Sequence, residues 1–197
     1  MNTVNGSDVK ASEMRLVESA AAGDTGARQE LFTCHREAAY RVAFRITGRA
    51  EDALDVVQDS FIAAFDKLDR FQREAGFRTW LLRIVTNRAL DLLRARKVRL
   101  AIPLDTVGDG AAPTPATRAS SDAPSASIER RELGERLQRA VESLPAEQRA
   151  VFSLYAAGEM TYGEIAEVLG IPIGTVMSRL FHARRRLREQ VSDLDSG

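Results

Sequence analysis

The chain has 197 residues, with 28 basic and 28 acidic side chains for a formal net charge of zero, 44% hydrophobic residues and only 6% aromatic ones. That length suits two small cores better than one, and the balanced charge means that any nucleic-acid surface has to come from segregated charge. A single cysteine, two histidines, no apolar signal core in MNTVNGSDVKASEM and no run approaching ~20 apolar residues exclude disulfides, metal clusters and membrane spans, and predict a soluble cytoplasmic protein without a cofactor.

Glu13 to Ala22 reads as a short helix with Leu16 and Val17 inward, broken by Gly23-Asp24. Ala27 to Thr47 follows, with Leu31, Phe32, Ala39, Val42, Ala43 and Ile46 in helical repeat and Gly48 as its stop. Cys34 and His35 are adjacent on this helix, so their side chains diverge and make a poor catalytic dyad. A third helix runs from Glu51 to about Leu68. Its predicted buried face is Leu54, Val57, Phe61, Ile62 and Phe65, and Asp52, Asp55 and Asp59 lie on a more exposed side.

The fourth helix, Phe77 to about Lys97, places Leu81, Ile84, Val85, Ala89, Leu92 and Leu93 on one broad side at 100° per residue. Trp80, Arg83, Asn87, Asp91 and Arg94 share the other. A ring, an amide and guanidinium groups on one stripe suit unpaired bases, where rings stack and arginines follow the backbone. Trp80 at the edge of the apolar side equally suits a core position, and Asn87 with Asp91 equally suits a solvated pair. Arg88 points toward the apolar side and is expected to pair with an acid. The preceding loop, with Phe71, Gln72, Arg73 and Glu74, has the composition to pocket a flipped base.

From Ile102 to Ser127 the character changes to four prolines, two glycines and many small residues, with Asp105, Asp109 and Asp122 against Arg118. This reads as a slightly acidic linker. Helical periodicity returns at Ile128 with Leu133, Leu137, Val141 and Leu144. Pro145 then opens a further helix through Val151, Phe152 and Tyr155 to Gly158.

The segment TYGEIAEVLGIPIGTVMSRLFHARRRLRE, Thr161 to Glu189, reads as two helices joined by a tight turn. Thr161 and Glu164 form a capping box, Gly170 sits where a left-handed turn ends the first helix, and Pro172 restarts the chain. Val176, Leu180, Ala183 and Leu187 then draw a narrow apolar stripe. Thr175, Ser178, Arg179, His182, Arg185 and Arg186 occupy the other side, small hydrogen-bonding groups early and guanidinium groups late. That is the outline of a helix-turn-helix whose second helix reads base edges and holds phosphates. A basic amphipathic helix in a plain bundle is the competing reading.

These residues resemble the sigma-70 superfamily of bacterial sigma factors, specifically the small extracytoplasmic-function (ECF) group. AEDALDVVQDSF (Ala50 to Phe61) is similar to the segment that binds the β′ clamp helices of RNA polymerase. FRTWLLRIVTNRALDLLRARK (Phe77 to Lys97) is similar to the segment that melts and reads the minus-ten element. LPAEQRAVFSLYAAGEMTYGEIAEVLGIPIGTVMSRLFHARRRLR resembles the domain that reads the minus-thirty-five element and contacts the β flap. The resemblance implies an all-α fold with a region 2-like domain over 1–98, a flexible linker over 99–127 and a region 4-like domain over 128–197, with the helix-turn-helix at 161–188. It implies polymerase contacts at Asp52, Asp55, Gln58 and Asp59. Minus-ten contacts are implied at Arg73, Phe77, Trp80, Arg83, Asn87 and Arg94. Minus-thirty-five contacts are implied at Thr175, Met177, Ser178, Arg179, Phe181, His182, Arg185 and Arg186. Met177 and His182 stand where many relatives carry basic residues.

The expected function is that of a promoter-specificity subunit without catalytic activity. Its expected partners are core RNA polymerase, promoter DNA and an anti-sigma factor, with both DNA surfaces masked in the free protein. An autonomous helix-turn-helix regulator, binding duplex DNA without polymerase, is the alternative.

Overall fold

The computed structural model describes residues 6–71, 76–101, 134 and 136–194. The linker from 102 onward and the start of the expected helix at Ile128 therefore lie outside the described residues. Every regular element among the described residues is helical: α1 (Gly6–Ala21), α2 (Thr25–Thr47), α3 (Ala50–Asp66), a 3-10 turn (Leu68–Arg70), α4 (Phe77–Ala101), α5 (136–142), α6 (Ala146–Ala156), α7 (Tyr162–Leu169) and α8 (Ile173–Leu194).

Local chemistry accounts for the ends. The Asp24 carboxylate accepts from the N–H groups of Gly26 (2.8 Å) and Ala27 (3.3 Å), which starts α2 two residues before the apolar repeat does. Gly48 ends α2 with φ 78°, a backbone region that an L side chain enters only with strain. A Cβ there would also collide with the Glu142 carboxylate arriving from the other half of the chain. The capping box of α7 is present in both directions, Thr161 with the N–H of Glu164 and Glu164 with the N–H of Thr161, and Gly170 ends the helix at φ 63°. α4 continues to Ala101, past the expected domain boundary.

The buried face of α3 differs from the expected one. Leu54 and Ile62 are 59% and 53% exposed, and the helix buries Ala53, Val56, Val57, Ser60, Phe61 and Ala64. The small residues Ala53, Ser60 and Ala64, each with no exposed surface, let α3 lie close against its neighbours. At 100° per residue this turns the buried face by about 90° from the line of the largest side chains.

Two separate cores were expected, and the structure joins them. Leu31, Val42 and Ile46 of α2, Phe61 of α3 and Leu81 and Val85 of α4 belong to the same contiguous apolar cluster as Val151, Leu154, Ile165, Val168, Val176 and Leu180. α4 is consequently buried on two sides, which explains why Leu82, Thr79 and Thr86 are inside as well as Leu81, Val85 and Ala89. A second, smaller cluster packs Ala140, Val141 and Leu144 against Ala183 and Leu187 of α8.

Guanidinium groups tie the halves at the rim of this junction. Arg149 of α6 donates to the carbonyls of Ile46 (3.0 Å) and Leu144 (3.1 Å) and to that of Glu142, so one side chain serves the ends of α2 and α5. Its partial burial lowers its affinity for its proton, opposed by the Glu142 charge. Gln138 donates to the Phe44 carbonyl at 3.3 Å. Arg41 and Arg78 of the N-terminal half both reach the turn after α6, donating to the carbonyls of Ala157 (3.4 Å) and Gly158 (2.5 Å), with Glu159 at 3.7 and 4.0 Å. Glu159 holds φ 52°, the one non-glycine residue with positive φ among the described residues.

Candidate nucleic-acid and polymerase interfaces

The first surface is built on α4 where it crosses α3. Trp80, Arg83 and Asn87 lie on successive turns and line a shallow depression with Ala63, Lys67 and Arg88. Arg83 and Asn87 are exposed, and Trp80 is half-buried. The Trp80 ring is held by Phe71 (centroids 5.3 Å) and Phe77 (5.9 Å), so it is fixed on one side and open on the other. Trp80 is thus neither a fully buried core residue nor a freely exposed one.

Phe77 is different. It is 1% exposed and packs against His35 as well as Trp80, so it supports the surface from inside and does not present itself to DNA. Arg94 is exposed at the far end and pairs with Asp91. Arg73 lies outside the described residues.

The N-terminus of α4 is tied from a distance. Glu13 of α1 meets His35 Nε2 at 3.0 Å. Its carboxyl is held below the usual 4.5, first by the hydrogen bond with His35, then by the His35 charge, the N–H of Phe77 and the Arg78 charge, against an opposing effect of burial. Nothing local in the sequence signals this contact, because the partners lie on α1, α2 and α4.

The second surface is the outer side of α3. Asp55 and Gln58 are exposed, flanked by Leu54 and Ile62. Asp59 is exposed but pairs with Arg88 at 3.2 Å, the acid that Arg88 was expected to find. Asp52 departs from expectation. Its side chain is only 19% exposed and lies 2.5 Å from Arg96 and 3.7 Å from Arg49, so it ties α3 to α4 and is not offered to a partner. Helical periodicity alone puts Leu54 and Ile62 in the core, whereas both are exposed. Their spacing of four about Gln58, beside Asp55, was the available signal for an exposed stripe.

The third surface is α8. Val176, Leu180, Ala183 and Leu187 are buried, the stripe the sequence predicted. On the outer side, Met177 and Phe181 are exposed, as are Ser178, His182, Arg185 and Arg186, while Thr175 and Arg179 are half-buried. The Ser178 hydroxyl donates to the Thr175 carbonyl at 3.1 Å, and Arg179 pairs with Glu147 of α6. Arg185 pairs with Glu189 at 3.3 Å, and the Arg184 guanidinium lies over the Tyr155 ring at 4.7 Å. Docking of the two halves therefore leaves Arg83, Asn87 and the outer face of α8 open to solvent. The expected masking of both DNA surfaces does not arise from burial of these side chains. Among the described residues no group of three or more His, Cys, Asp or Glu could hold a metal ion, and no helix is long and apolar enough to cross a membrane.

Comparison with known proteins places both halves of the chain in one family. Residues 31–99 match the family model described as Sigma-70 region 2, and residues 134–187 match that of Sigma-70, region 4. The ECF RNA polymerase sigma factor SigW of Bacillus subtilis is 30% identical over 91% of this chain and 97% of its own length. Among solved structures, CnrH in complex with the cytosolic domain of CnrY superposes with a TM-score of 0.68 at 28% identity, covering 92% of this chain and 97% of that one. The sigma factor RpoE of Bartonella quintana, solved with the anti-sigma factor NepR, shares the fold at a TM-score of 0.58 and 24% identity, covering 94% and 97% of the two chains. With both regions matched in order and a relative aligned over nearly its full length, the chain belongs to the sigma-70 family of RNA polymerase sigma factors, in its ECF group.

Proposed function

We propose that this chain is a cytoplasmic promoter-specificity subunit that docks on core RNA polymerase through α3, traps unpaired minus-ten bases on α4 and reads the minus-thirty-five element with α8. It performs no catalysis of its own. The observation that carries this reading over an autonomous regulator is the outer face of α3. There Leu54 and Ile62 stand 59% and 53% exposed beside Asp55 and Gln58. An apolar and acidic stripe of this kind repels DNA and suits a protein partner with apolar and basic groups.

On α4, Trp80, Arg83 and Asn87 are assigned to the non-template strand, with the ring as stacking platform and Arg83 on the backbone. Phe77 is assigned to support of Trp80, and Asp52 to the α3–α4 junction. On α8, Arg185 and Arg186 are assigned to phosphates. An anti-sigma factor is the further partner we assign to this chain. The CnrH relative was solved with a protein domain bound, and the surfaces left exposed here are open to a competitor.

The test is co-migration of the chain with bacterial core RNA polymerase, followed by transcription from a pool of promoter fragments. Stable holoenzyme with selective initiation is the expected result. Absence of core binding together with a polymerase-independent shift of duplex DNA would move the assignment to the autonomous regulator.

A further inference from the structure

We propose that α8 reads its upstream promoter element chiefly through thymine methyl groups, with Met177 and Phe181 as the specificity-determining side chains and Ile173 extending the contact. This rests on the promoter-reading function proposed above and concerns the chemistry of the bases selected.

Three observations carry it. First, Ile173, Met177 and Phe181 are 51%, 53% and 63% exposed and recur every fourth residue, so they make one apolar ridge on the solvent side of α8. From Ile173 to Phe181 the helix rises about 12 Å, comparable to three or four base-pair steps of about 3.4 Å. A ridge of this length with no hydrogen-bonding group is an unusual feature to leave in water on a surface that contacts a polyanion.

Second, two polar side chains of the same two turns, Ser178 and Arg179, already have partners within the protein. The Ser178 hydroxyl donates to the Thr175 carbonyl, and the Arg179 guanidinium is paired with Glu147. A guanine is recognised by a free arginine or lysine donating to its O6 and N7, and the early part of α8 presents no such free donor. The His182 ring is packed edge-on against Phe181 at 5.5 Å, which places it beside the ridge.

Third, the ridge is bordered by cations. Met177 and Phe181 share a surface depression with Arg184, Arg185 and Arg188. Guanidinium groups beside an apolar strip match a groove whose walls are phosphate and whose floor carries methyl groups. The thymine C5-methyl is the apolar feature that a standard base pair presents in the major groove.

The experiment uses reconstituted holoenzyme. Promoter sequences that support initiation are selected from a randomised pool. Each thymine of the upstream element is then replaced, one at a time, by deoxyuridine, which keeps every hydrogen-bonding group and removes only the methyl. At two or three positions holoenzyme affinity should fall about fourfold per methyl, the effect of exposing roughly one methylene. Holoenzyme carrying Met177→Ala or Phe181→Ala should bind the thymine promoter more weakly and lose the distinction between thymine and uridine at one position each. Both side chains are exposed, so these variants should melt at the temperature of the parent. Equal affinity for thymine and uridine at every position, with selective initiation intact, would overturn the proposal and leave the promoter-reading function standing. Failure to form holoenzyme at all would appear before any uridine is introduced, and would overturn both.

Discussion

Arg78, the second residue of α4, donates a 2.5 Å hydrogen bond to the carbonyl of Gly158 in the turn between α6 and α7, eighty positions along the chain. Arg41 of α2 reaches the neighbouring Ala157 carbonyl, and both guanidinium groups lie near Glu159. The helix assigned to the minus-ten element is thereby tied at its start to the domain that carries the recognition helix. Both guanidinium groups are partly exposed, so their contribution is reduced by solvent and falls as salt rises.

The double variant Arg41→Ala, Arg78→Ala should weaken docking of the two halves by about 1–2 kcal/mol, roughly a tenfold change in the docking equilibrium. Energy transfer between a dye on the exposed Cys34 and one on a cysteine introduced at Glu167 reads this directly. The parent should lose transfer as salt rises, and the variant should already be low at low salt. Identical transfer in both proteins would mean that the apolar junction alone holds the halves together.

Arg149 should matter to stability more than any guanidinium on α8. Replacement by methionine keeps its apolar stem but leaves the carbonyls of Ile46, Glu142 and Leu144 without this donor. We expect a loss of about 2–3 kcal/mol in urea unfolding. Arg186→Met on the exposed face of α8 should change stability by less than about 0.5 kcal/mol.

Acid should destabilise the start of α4. The Glu13 carboxyl has a folded value below its ordinary 4.5, set first by its hydrogen bond with His35. A depressed carboxyl stabilises the fold above its unfolded value, and that contribution is lost as pH falls through the folded value. Unfolding free energy of the parent should therefore drop below about pH 4.5 more steeply than that of Glu13→Gln. Parallel pH profiles for the two proteins would rule this group out as a source of acid sensitivity.

On the α4 surface, Asn87→Ala and Arg83→Ala change exposed side chains. They should slow open-complex formation at least about tenfold while core binding and melting temperature stay at parental values. Phe77→Ala should behave otherwise, costing about 3–5 kcal/mol because it empties a buried ring site. Loss of stability in the first two variants would show that they belong to the core.

The acids of α3 should separate in the same way. Asp55→Ala and Ile62→Asp should weaken binding to core polymerase about tenfold or more without loss of stability, since both positions face solvent. Asp52→Ala should lower the melting temperature, because it leaves Arg96 and Arg49 without their shared acid. A purely structural loss from Asp55→Ala would count against α3 as the docking face.

Much of the molecule is legible in the sequence where the decisive interactions are local. Thr161 with Glu164, Gly170 and Gly48 mark helix ends through the dihedral angles and hydrogen bonds of a few consecutive residues, and the structure has each as expected. The stripe Val176, Leu180, Ala183 and Leu187 is equally clear, because α8 buries one narrow side and leaves the rest in water. A periodic pattern is unambiguous when a helix has a single buried face.

Where a helix touches neighbours on more than one side, or lies close to them, the same periodicity misleads. α3 packs through Ala53, Ser60 and Ala64, so its largest side chains, Leu54 and Ile62 among them, are not all inside. α4 is buried on a second side by α6 and α7, which takes in Leu82, Thr79 and Thr86. Likewise, no spacing rule pairs Arg179 with Glu147, Arg96 with Asp52 or Glu13 with His35. The helical elements, the α7 capping box, the glycine stops at Gly48 and Gly170, the helix-turn-helix and the family are all legible in the residue order, because each is encoded in short-range backbone chemistry and recurrent motifs. Which acids and arginines remain free for a partner, and which apolar residues stay in water, emerges from the packing of the helices. Desolvation and ion pairing depend on groups brought together from distant parts of the chain.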